Sequence, residues 1–186
     1  MTFRITPREA AAGGRAGTVY ELTDPAGTAR AEVWPMWGFN CLRWQVKTRD
    51  GSWGSVLFTA PDWDANPVPT RSGQPILFPF PGRLRDGKLP FHGRTVQLPL
   101  NDSTKQHAIH GFTPRNPWRV VGAEADAKAA TVTGEFHLSR DLPAEAAHWP
   151  SDFRLTVAYR FTGTALAVDA HVENLGSDPL PFGLGY

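Results

Sequence analysis

Glycine and proline interrupt this chain at short intervals, and this feature most limits the folds open to it. The sequence of 186 residues contains 18 glycines and 17 prolines, spread along its whole length. Because both residues mark turns and proline is disfavoured inside helices, the uninterrupted segments are too short for long helices. Short segments joined by turns are typical of a chain built from many β-strands.

Alternating hydrophobicity predicts where the strands lie. In Ala165–Glu173 the residues at every second position from Leu166 are apolar, and a charged residue or histidine follows each of the later ones. This pattern predicts a half-buried antiparallel strand. The same alternation of apolar and polar residues predicts strands at Leu155–Phe161 and Thr131–Leu138. Further short strands are predicted at Thr18–Leu22, Ala31–Trp34 and Leu42–Lys47. The chain is therefore expected to be all-β.

Two segments are predicted to lie outside the sheets. Asp62–Pro75 contains three prolines and no periodicity, which indicates a long surface loop. Ala144–Trp149 has room only for a helical turn, because prolines stand on both sides. No repeat or shift in composition divides the chain, so residues 1–186 are expected to form a single domain. Strands with one polar face need a second sheet to bury the other, which favours an antiparallel sandwich over a small barrel.

The composition excludes several classes of function. The chain has 19 basic and 18 acidic residues, so nucleic acid and acidic membrane surfaces are not expected as partners. Cys41 is the only cysteine, which excludes an internal disulfide and argues against a cysteine-based metal site. No apolar run approaches the ~20 residues of a membrane span, and the first residues lack the hydrophobic region of a signal peptide. We therefore expect a cytoplasmic protein.

Residues Gln74–Phe112 hold the candidate chemistry. A basic turn in this segment carries Arg83 and Arg85, which share one face of an extended chain. The planar donor fork of arginine suits hydroxyls, carboxylates or phosphates, although two arginines in a turn also fit a solvated surface. Asp86 and Gly87, which follow, predict a hairpin that returns the next strand.

A His-x-x-His motif, His107 and His110, closes the same segment. Metal binding is disfavoured, because two rings on an extended segment need not converge and no third ligand stands at a suitable spacing. Gly111 allows a sharp turn, which would leave His110 at the end of a strand, able to bond a ligand hydroxyl. A histidine that caps a turn by bonding the backbone fits equally well. The residues alone leave both interpretations open.

Several motifs together resemble the aldose 1-epimerase family, the galactose mutarotase-like proteins. The resemblance is carried by GQPILFPFPGRLRDGKLPFHGRTVQLPLND and the HAIHGF that follows. AEVWPMWGFNCLRWQV resembles the early strand pair of the family, and residues 148–186 resemble two later strands and the segment beyond them. The motifs cover essentially the whole chain and occur in the order of the family.

The resemblance implies a large antiparallel β-sandwich that interconverts the α and β anomers of free aldohexoses such as glucose or galactose. The reaction opens and recloses the sugar ring by general acid and base catalysis, without a cofactor or metal. The substrate-binding arginine of the family corresponds to Arg83, and its first site histidine corresponds to His110. His107 and Arg85 are their neighbours in the candidate substrate site. The family usually has asparagine before that arginine, where this chain has Gly82, so one polar contact is expected to be missing.

The resemblance also implies that the chain matches only the N-terminal portion of a complete member. The general-acid histidine of the family, which precedes a proline, and its general-base glutamate would both come after Tyr186. We therefore expect no catalytic residue within this chain, and no activity from it alone. Missing strands would leave an unpaired edge and uncovered apolar faces, so we expect self-association or a complementing C-terminal fragment.

Two alternative functions stay open. The chain could be a non-catalytic carbohydrate-binding or regulatory module that keeps Arg83 and His110 without the acid and base. It could also be a relative that acts on hexose phosphates, in which Arg83 and Arg85 would hold the phosphate. The sequence FPFPGRLRDG looks more like the branch of the family that acts on unphosphorylated sugars.

Overall fold

A computed structural model describes residues 1–186 and shows 13 strands and two short helices. The strands are β1 (Arg4–Ala12), β2 (Arg15–Thr23), β3 (Ala29–Trp34), β4 (Asn40–Lys47), β5 (Trp53–Ser55), β6 (Arg83–Arg85), β7 (Lys88–Phe91), β8 (Arg94–Gln97), β9 (His107–Ile109), β10 (Arg119–Ala125), β11 (Ala130–His137), β12 (Phe153–Phe161) and β13 (Leu166–Asn174). The helices are α1 (Leu138–Asp141) and α2 (Pro143–Ala146), and 3-10 turns lie at Pro35–Trp37, Pro69–Arg71 and Thr113–Arg115. The all-β prediction is confirmed.

Two antiparallel sheets form the body of the protein. One contains β1 to β5 and the other contains β10 to β13, each with its strands in chain order. The residues between the two sheets carry two small ribbons, in which β6 pairs with β9 and β7 pairs with β8. Hairpin connections therefore build both large sheets, and the only pairing between strands distant in sequence lies in the β6–β9 ribbon.

The core lies between the two sheets, where their apolar faces meet. In β12 every second residue from Phe153 to Phe161 is shielded from solvent, and Leu22 and Val33 of the opposite sheet belong to the same cluster. Burying a side chain of this size stabilises the fold by roughly 1.5–3 kcal/mol. The alternation seen in the sequence is therefore the pattern that closes the sandwich.

One glycine in a strand lets an aromatic ring pack between the sheets. A Cβ at Gly134 of β11 would lie 2.6 Å from the ring of Phe39, which comes from the turn between β3 and β4. The Phe39 ring stacks on Trp118 at 5.4 Å and contacts Tyr159 at 5.3 Å, measured between ring centroids. Because glycine has no side chain, the ring can lie directly against the strand.

The predicted strands appear with small differences at their ends. The strand predicted at Thr131–Leu138 ends one residue earlier, because Leu138 begins α1. The helical turn predicted at Ala144–Trp149 is α2, which starts at Pro143 and is shorter. β1, β5 and β10 are among the strands that the sequence did not predict. β1 contains a proline and three consecutive alanines, and the register of β10 shifts between Val120 and Gly122.

The predicted hairpin at Asp86 and Gly87 is wrong. A turn does form there, since the N–H of Gly87 donates to the carbonyl oxygen of Leu84 at 3.1 Å. The strands on its two sides nevertheless separate, β6 to β9 and β7 to β8. The carbonyl oxygen of Gly87 accepts from the N–H of Leu98 at 2.8 Å, which ties this turn to the end of β8.

β13 is the outer strand of its sheet and is only partly covered. Leu166 and Val168 are half-buried and Ala170 is exposed, although all three follow the apolar pattern. Farther along, Phe182 is 56% exposed. This edge therefore keeps backbone groups and apolar side chains at the surface. None of the helices has the length and hydropathy needed to cross a membrane.

Candidate functional site

The β6–β9 ribbon brings the predicted site residues together. In its antiparallel register Leu84 pairs with Ala108, and Arg85 pairs with His107. Leu84 and Ala108 pack toward the core, whereas Arg83 and Arg85 are exposed. Because side chains alternate along a strand, the two arginines project from the side of the ribbon opposite to the core.

His110 lies just beyond β9 and bonds the start of β6. Its backbone has a φ of 62°, a left-handed conformation that is uncommon outside glycine. The N–H of Gly82 donates to Nδ1 of His110 at 3.0 Å, and the N–H of His110 donates to the carbonyl oxygen of Gly82 at 2.9 Å. A backbone N–H can only donate, so Nδ1 must accept, and the neutral ring carries its proton on Nε2. His110 therefore offers an N–H donor beside Arg83.

The surroundings keep this imidazole neutral. Burial lowers the pKa of His110 below its ordinary value, and the positive charges of Arg115 and Arg83 lower it further. Both effects disfavour the imidazolium form. The ring is therefore uncharged near neutral pH, with Nδ1 engaged by the backbone and Nε2 free to donate.

His107 makes a related bond at the other end of β6. The N–H of Asp86 donates to Nδ1 of His107 at 3.3 Å. The two histidines thus hold the residues that precede and follow β6. For His110, a bond to the backbone and a bond to a ligand use different ring nitrogens, so the two interpretations of that residue are compatible.

Asn101 positions the histidine segment, a role that sequence reasoning missed. Its Oδ1 accepts from the N–H of Ile109 at 2.6 Å, and its Nδ2 donates to the carbonyl oxygen of Ile109 at 3.2 Å. Arg115 in turn donates from Nη1 to the carbonyl oxygen of Asn101 at 3.0 Å. The side chain of Asn101 thus pairs with β9 as a neighbouring strand would, one residue before His110.

Asp102 shapes the loop that leads into the motif. Its Oδ1 accepts from the N–H groups of Gln106 and His107 at 2.9 and 3.0 Å. The hydroxyl of Thr104 donates to Oδ2, and this bond, together with those from the backbone, lowers the pKa of Asp102 to about 2. The Asn-Asp pair that follows a strand is a turn signal from which this loop could have been predicted.

Gly111 allows the chain to pass tightly behind the site. Its φ is 67°, and a Cβ there would overlap the carbonyl oxygen of Phe78. The same oxygen accepts from the N–H of Phe112 at 2.8 Å. The segment that contains Phe78 also pairs with the last residues of the chain, since the N–H of Leu77 donates to the carbonyl oxygen of Gly185 at 2.8 Å. The ribbon is thus fixed to the body of the protein by backbone bonds.

The site presents N–H donors of two kinds, the guanidinium of Arg83 and the neutral imidazole of His110. Such donors suit the oxygen atoms of a hydroxylated ligand. No group of three or more His, Cys, Asp or Glu side chains is arranged to hold a metal ion.

Several solved structures have a similar fold. A galactose mutarotase-like protein from Clostridium acetobutylicum matches with a TM-score of 0.78 and 22% identity, over 97% of this chain and 52% of that chain. The galactose 1-epimerase from Lactobacillus acidophilus NCFM matches with a TM-score of 0.65 and 19% identity, over 92% of this chain and 48% of that chain. The fold is therefore an antiparallel β-sandwich of the galactose mutarotase-like type.

The family follows from the sequence as well. The profile of the aldose 1-epimerase family matches residues 19–186, so the chain belongs to that family. Among curated proteins, the uncharacterized protein YihR of Escherichia coli K12 is 29% identical over 111 residues, which are 59% of this chain and 33% of YihR. The chain thus spans about half the length of the two solved structures, and its match to YihR covers a third of that protein.

Proposed function

We propose that this chain forms the substrate-binding wall of an aldose 1-epimerase site, which holds a free aldohexose such as glucose or galactose while its anomers interconvert. The observation that carries the proposal is the neutral imidazole of His110, whose Nδ1 is bonded to Gly82 so that Nε2 donates beside Arg83. Membership of the aldose 1-epimerase family supports this class of reaction.

The two side chains hold the sugar in different ways. A neutral Nε2–H bonds a sugar oxygen without placing a charge beside it, and it keeps its proton because burial disfavours the charged ring. The guanidinium of Arg83 is exposed, and its planar fork spans two neighbouring hydroxyls. Together they fix the orientation of the ring relative to the ribbon.

Anomer interconversion requires two proton transfers that these side chains do not perform in our proposal. A base removes the proton of the anomeric hydroxyl and an acid protonates the ring oxygen, so that the ring opens and can close on either face of the C1 carbonyl. Arginine stays protonated at every pH of interest. We assign both transfers to polypeptide outside this chain, which spans about half of the related solved structures.

The surface that suits this additional polypeptide is the open edge of β13. The strand is the last of its sheet, and Leu166 and Val168 remain half-buried there. A further strand would pair with the free backbone groups and cover these side chains. Either a complementing fragment or a second copy of the chain would meet that requirement.

The proposal is tested by binding and kinetics on the same samples. Titration calorimetry of the chain with glucose and galactose should show binding, and Arg83→Ala and His110→Ala should each weaken it at least tenfold. Arg94→Ala is the matched control, because Arg94 is an exposed arginine on the neighbouring ribbon. Polarimetry should show no mutarotation above the rate in buffer.

Two results would contradict the proposal. Mutarotation by the purified chain, faster than in buffer, would show that the proton-transfer groups lie within it. Binding that is equal in the wild type and in both site variants would show that Arg83 and His110 do not form the site. A complementing fragment that restores the sandwich but no activity would favour a non-catalytic sugar-binding module.

A second candidate function is supported by the placement of two arginines. Arg83 and Arg85 are exposed and stand two residues apart on the same strand, as a phosphate site would require. If the substrate is a hexose phosphate, glucose 6-phosphate should raise the unfolding temperature more than glucose does. Arg85→Ala should then remove the difference between the two ligands.

A further inference from the structure

The tip of the β1–β2 hairpin carries an arginine that reaches the segment behind the candidate site. Arg15 is the first residue of β2 and directly follows the two-residue turn of the hairpin. Its Nη1 donates to the carbonyl oxygen of Arg115 at 2.7 Å and to that of Met36 at 3.4 Å. One guanidinium therefore joins two 3-10 turns, Pro35–Trp37 and Thr113–Arg115.

A buried aromatic ring fixes the position of this guanidinium. The Cζ of Arg15 lies 4.2 Å from the centroid of the Trp37 ring, which is a cation–π distance. Trp37 is buried, and its Nε1 donates to the carbonyl oxygen of Ala12 at 3.3 Å. The N–H of Gly13 donates to the carbonyl oxygen of Asp64 at 3.0 Å. The tip of the hairpin is thus anchored on both sides of its turn, and the arginine extends from a fixed base.

The residue that Arg15 holds is connected to the candidate site. Nη1 of Arg115 donates to the carbonyl oxygen of Asn101 at 3.0 Å. The side chain of Asn101 bonds both backbone groups of Ile109, which precedes His110. Burial lowers the pKa of His110, and the charge of Arg115 lowers it further. Hydrogen bonds therefore run without a break from the hairpin to the residue before the site histidine.

We propose that Arg15 is a positioning residue for the candidate sugar site. It fixes the backbone of Arg115, whose guanidinium in turn holds the segment of Asn101 and sets the charge beside His110. The role in sugar binding rests on the function proposed above. Residues 19–186 match the family profile, so Arg15 lies outside the matched part of the chain. Without Arg15 the carbonyl oxygen of Arg115 would bond water, which does not fix the position of the turn.

Titration of His110 by nuclear magnetic resonance tests the positioning role without a ligand. Arg15→Ala should raise the pKa of His110, because the guanidinium of Arg115 is no longer held in place near the ring. Arg15→Lys keeps a cation that can donate to the same carbonyl oxygen, so it should restore most of the wild-type value. Arg4→Ala, at an exposed arginine of β1, is the matched control and should leave the pKa unchanged. Thermal unfolding shows that each variant is folded.

A double-mutant cycle separates positioning from a direct effect of the Arg15 charge. Arg115→Gln alone should raise the pKa of His110, and adding Arg15→Ala to it should cause no further rise. A rise of the same size with and without Arg115 would overturn the proposal, because Arg15 would then act by its own charge. An unchanged pKa in folded Arg15→Ala would overturn it as well.

Titration calorimetry with glucose tests the consequence for the site. Arg15→Ala should weaken glucose binding by about threefold or more, and Arg15→Lys should restore it. Glucose affinity that is equal in the wild type and in Arg15→Ala would overturn the role of Arg15 in the sugar site. If the wild type binds no glucose, the function proposed above is wrong, whereas the titration of His110 still decides whether Arg15 positions Arg115.

Discussion

The sandwich core and the β6–β9 ribbon are held together in different ways. In the core, apolar side chains such as Phe153 and Val157 are fully shielded from solvent, and their attraction has no preferred direction. In the ribbon, His107, His110 and Asn101 bond backbone groups, and each bond fixes a distance and an angle. The core therefore supplies most of the stability, and the ribbon supplies the geometry of the candidate site.

The largest effect is expected from a change in the core. Phe153→Ala should lower the free energy of unfolding by about 3–5 kcal/mol, because it removes a fully buried ring. That ring contacts Phe78 at 4.8 Å between centroids, so the loss would reach the segment beside the ribbon. Urea denaturation measures the change.

Arg160→Ala, at an exposed position of the same strand, is the control and should change stability by less than about 0.5 kcal/mol. Equal losses in the two variants would show that burial does not dominate the stability of β12.

A pair of glycine variants gives a smaller effect and tests the ribbon directly. Gly111 and Gly82 both have positive φ, 67° and 77°. Replacing either glycine with alanine in this conformation should lower the free energy of unfolding by roughly 1–2 kcal/mol. At Gly111 the new Cβ would also overlap the carbonyl oxygen of Phe78, whereas at Gly82 it meets nothing within 4 Å.

Gly111→Ala should therefore destabilise the protein more than Gly82→Ala does, and it should also weaken sugar binding. Chemical denaturation and calorimetry measure the two effects. If both variants lose the same stability, the close approach of Gly111 to Phe78 is not what holds the ribbon.

The smallest effect is expected from pH. Since the folded pKa of His110 is lowered, mainly by burial, the unfolded chain binds more protons between that value and the ordinary ~6.5. Stability should therefore fall as the pH drops below about 6.5 and level off below the folded pKa. A protonated Nδ1 cannot accept from Gly82, so the protection of the Gly82 amide should fall over the same range.

Nuclear magnetic resonance measures both the titration of His110 and the hydrogen exchange of Gly82. Arg115→Gln should raise the pKa of His110, because it removes a nearby positive charge. His110→Asn keeps an acceptor that does not titrate, so it should make the protection of Gly82 independent of pH. Protection that is the same above and below the titration in the wild type would argue against the Nδ1 bond.

The parts of the fold that could be predicted are those with a local signal. β12 and β13 alternate clearly between apolar and polar residues, and both were predicted. β10 carries a glycine at its register shift, so its pattern is broken. The pairing of β6 with β9 could not be read from the turn at Asp86, because it depends on bonds from residues some twenty positions away.

The residues of the candidate site also fall into two groups, those that the sequence indicates and those that only the structure reveals. Arg83 and His110 stand in motifs that resemble those of the family, so the sequence points to them. Asn101 acts on the backbone of Ile109, and no spacing rule marks that role. Arg15 and Arg115 are 100 positions apart in the chain, and only the folded structure shows that they are in contact.

The bond from Gly82 to His110 also has an evolutionary consequence. Its donor is a main-chain N–H, which every residue except proline supplies. Where the family usually has asparagine, this chain has Gly82, and the tautomer of His110 is held all the same. The side chain at this position can thus differ without removing the donor, although a residue other than glycine must adopt the left-handed φ of 77°. Proline is the one replacement that would remove the donor itself, so selection for this bond would act on the backbone rather than on a side chain.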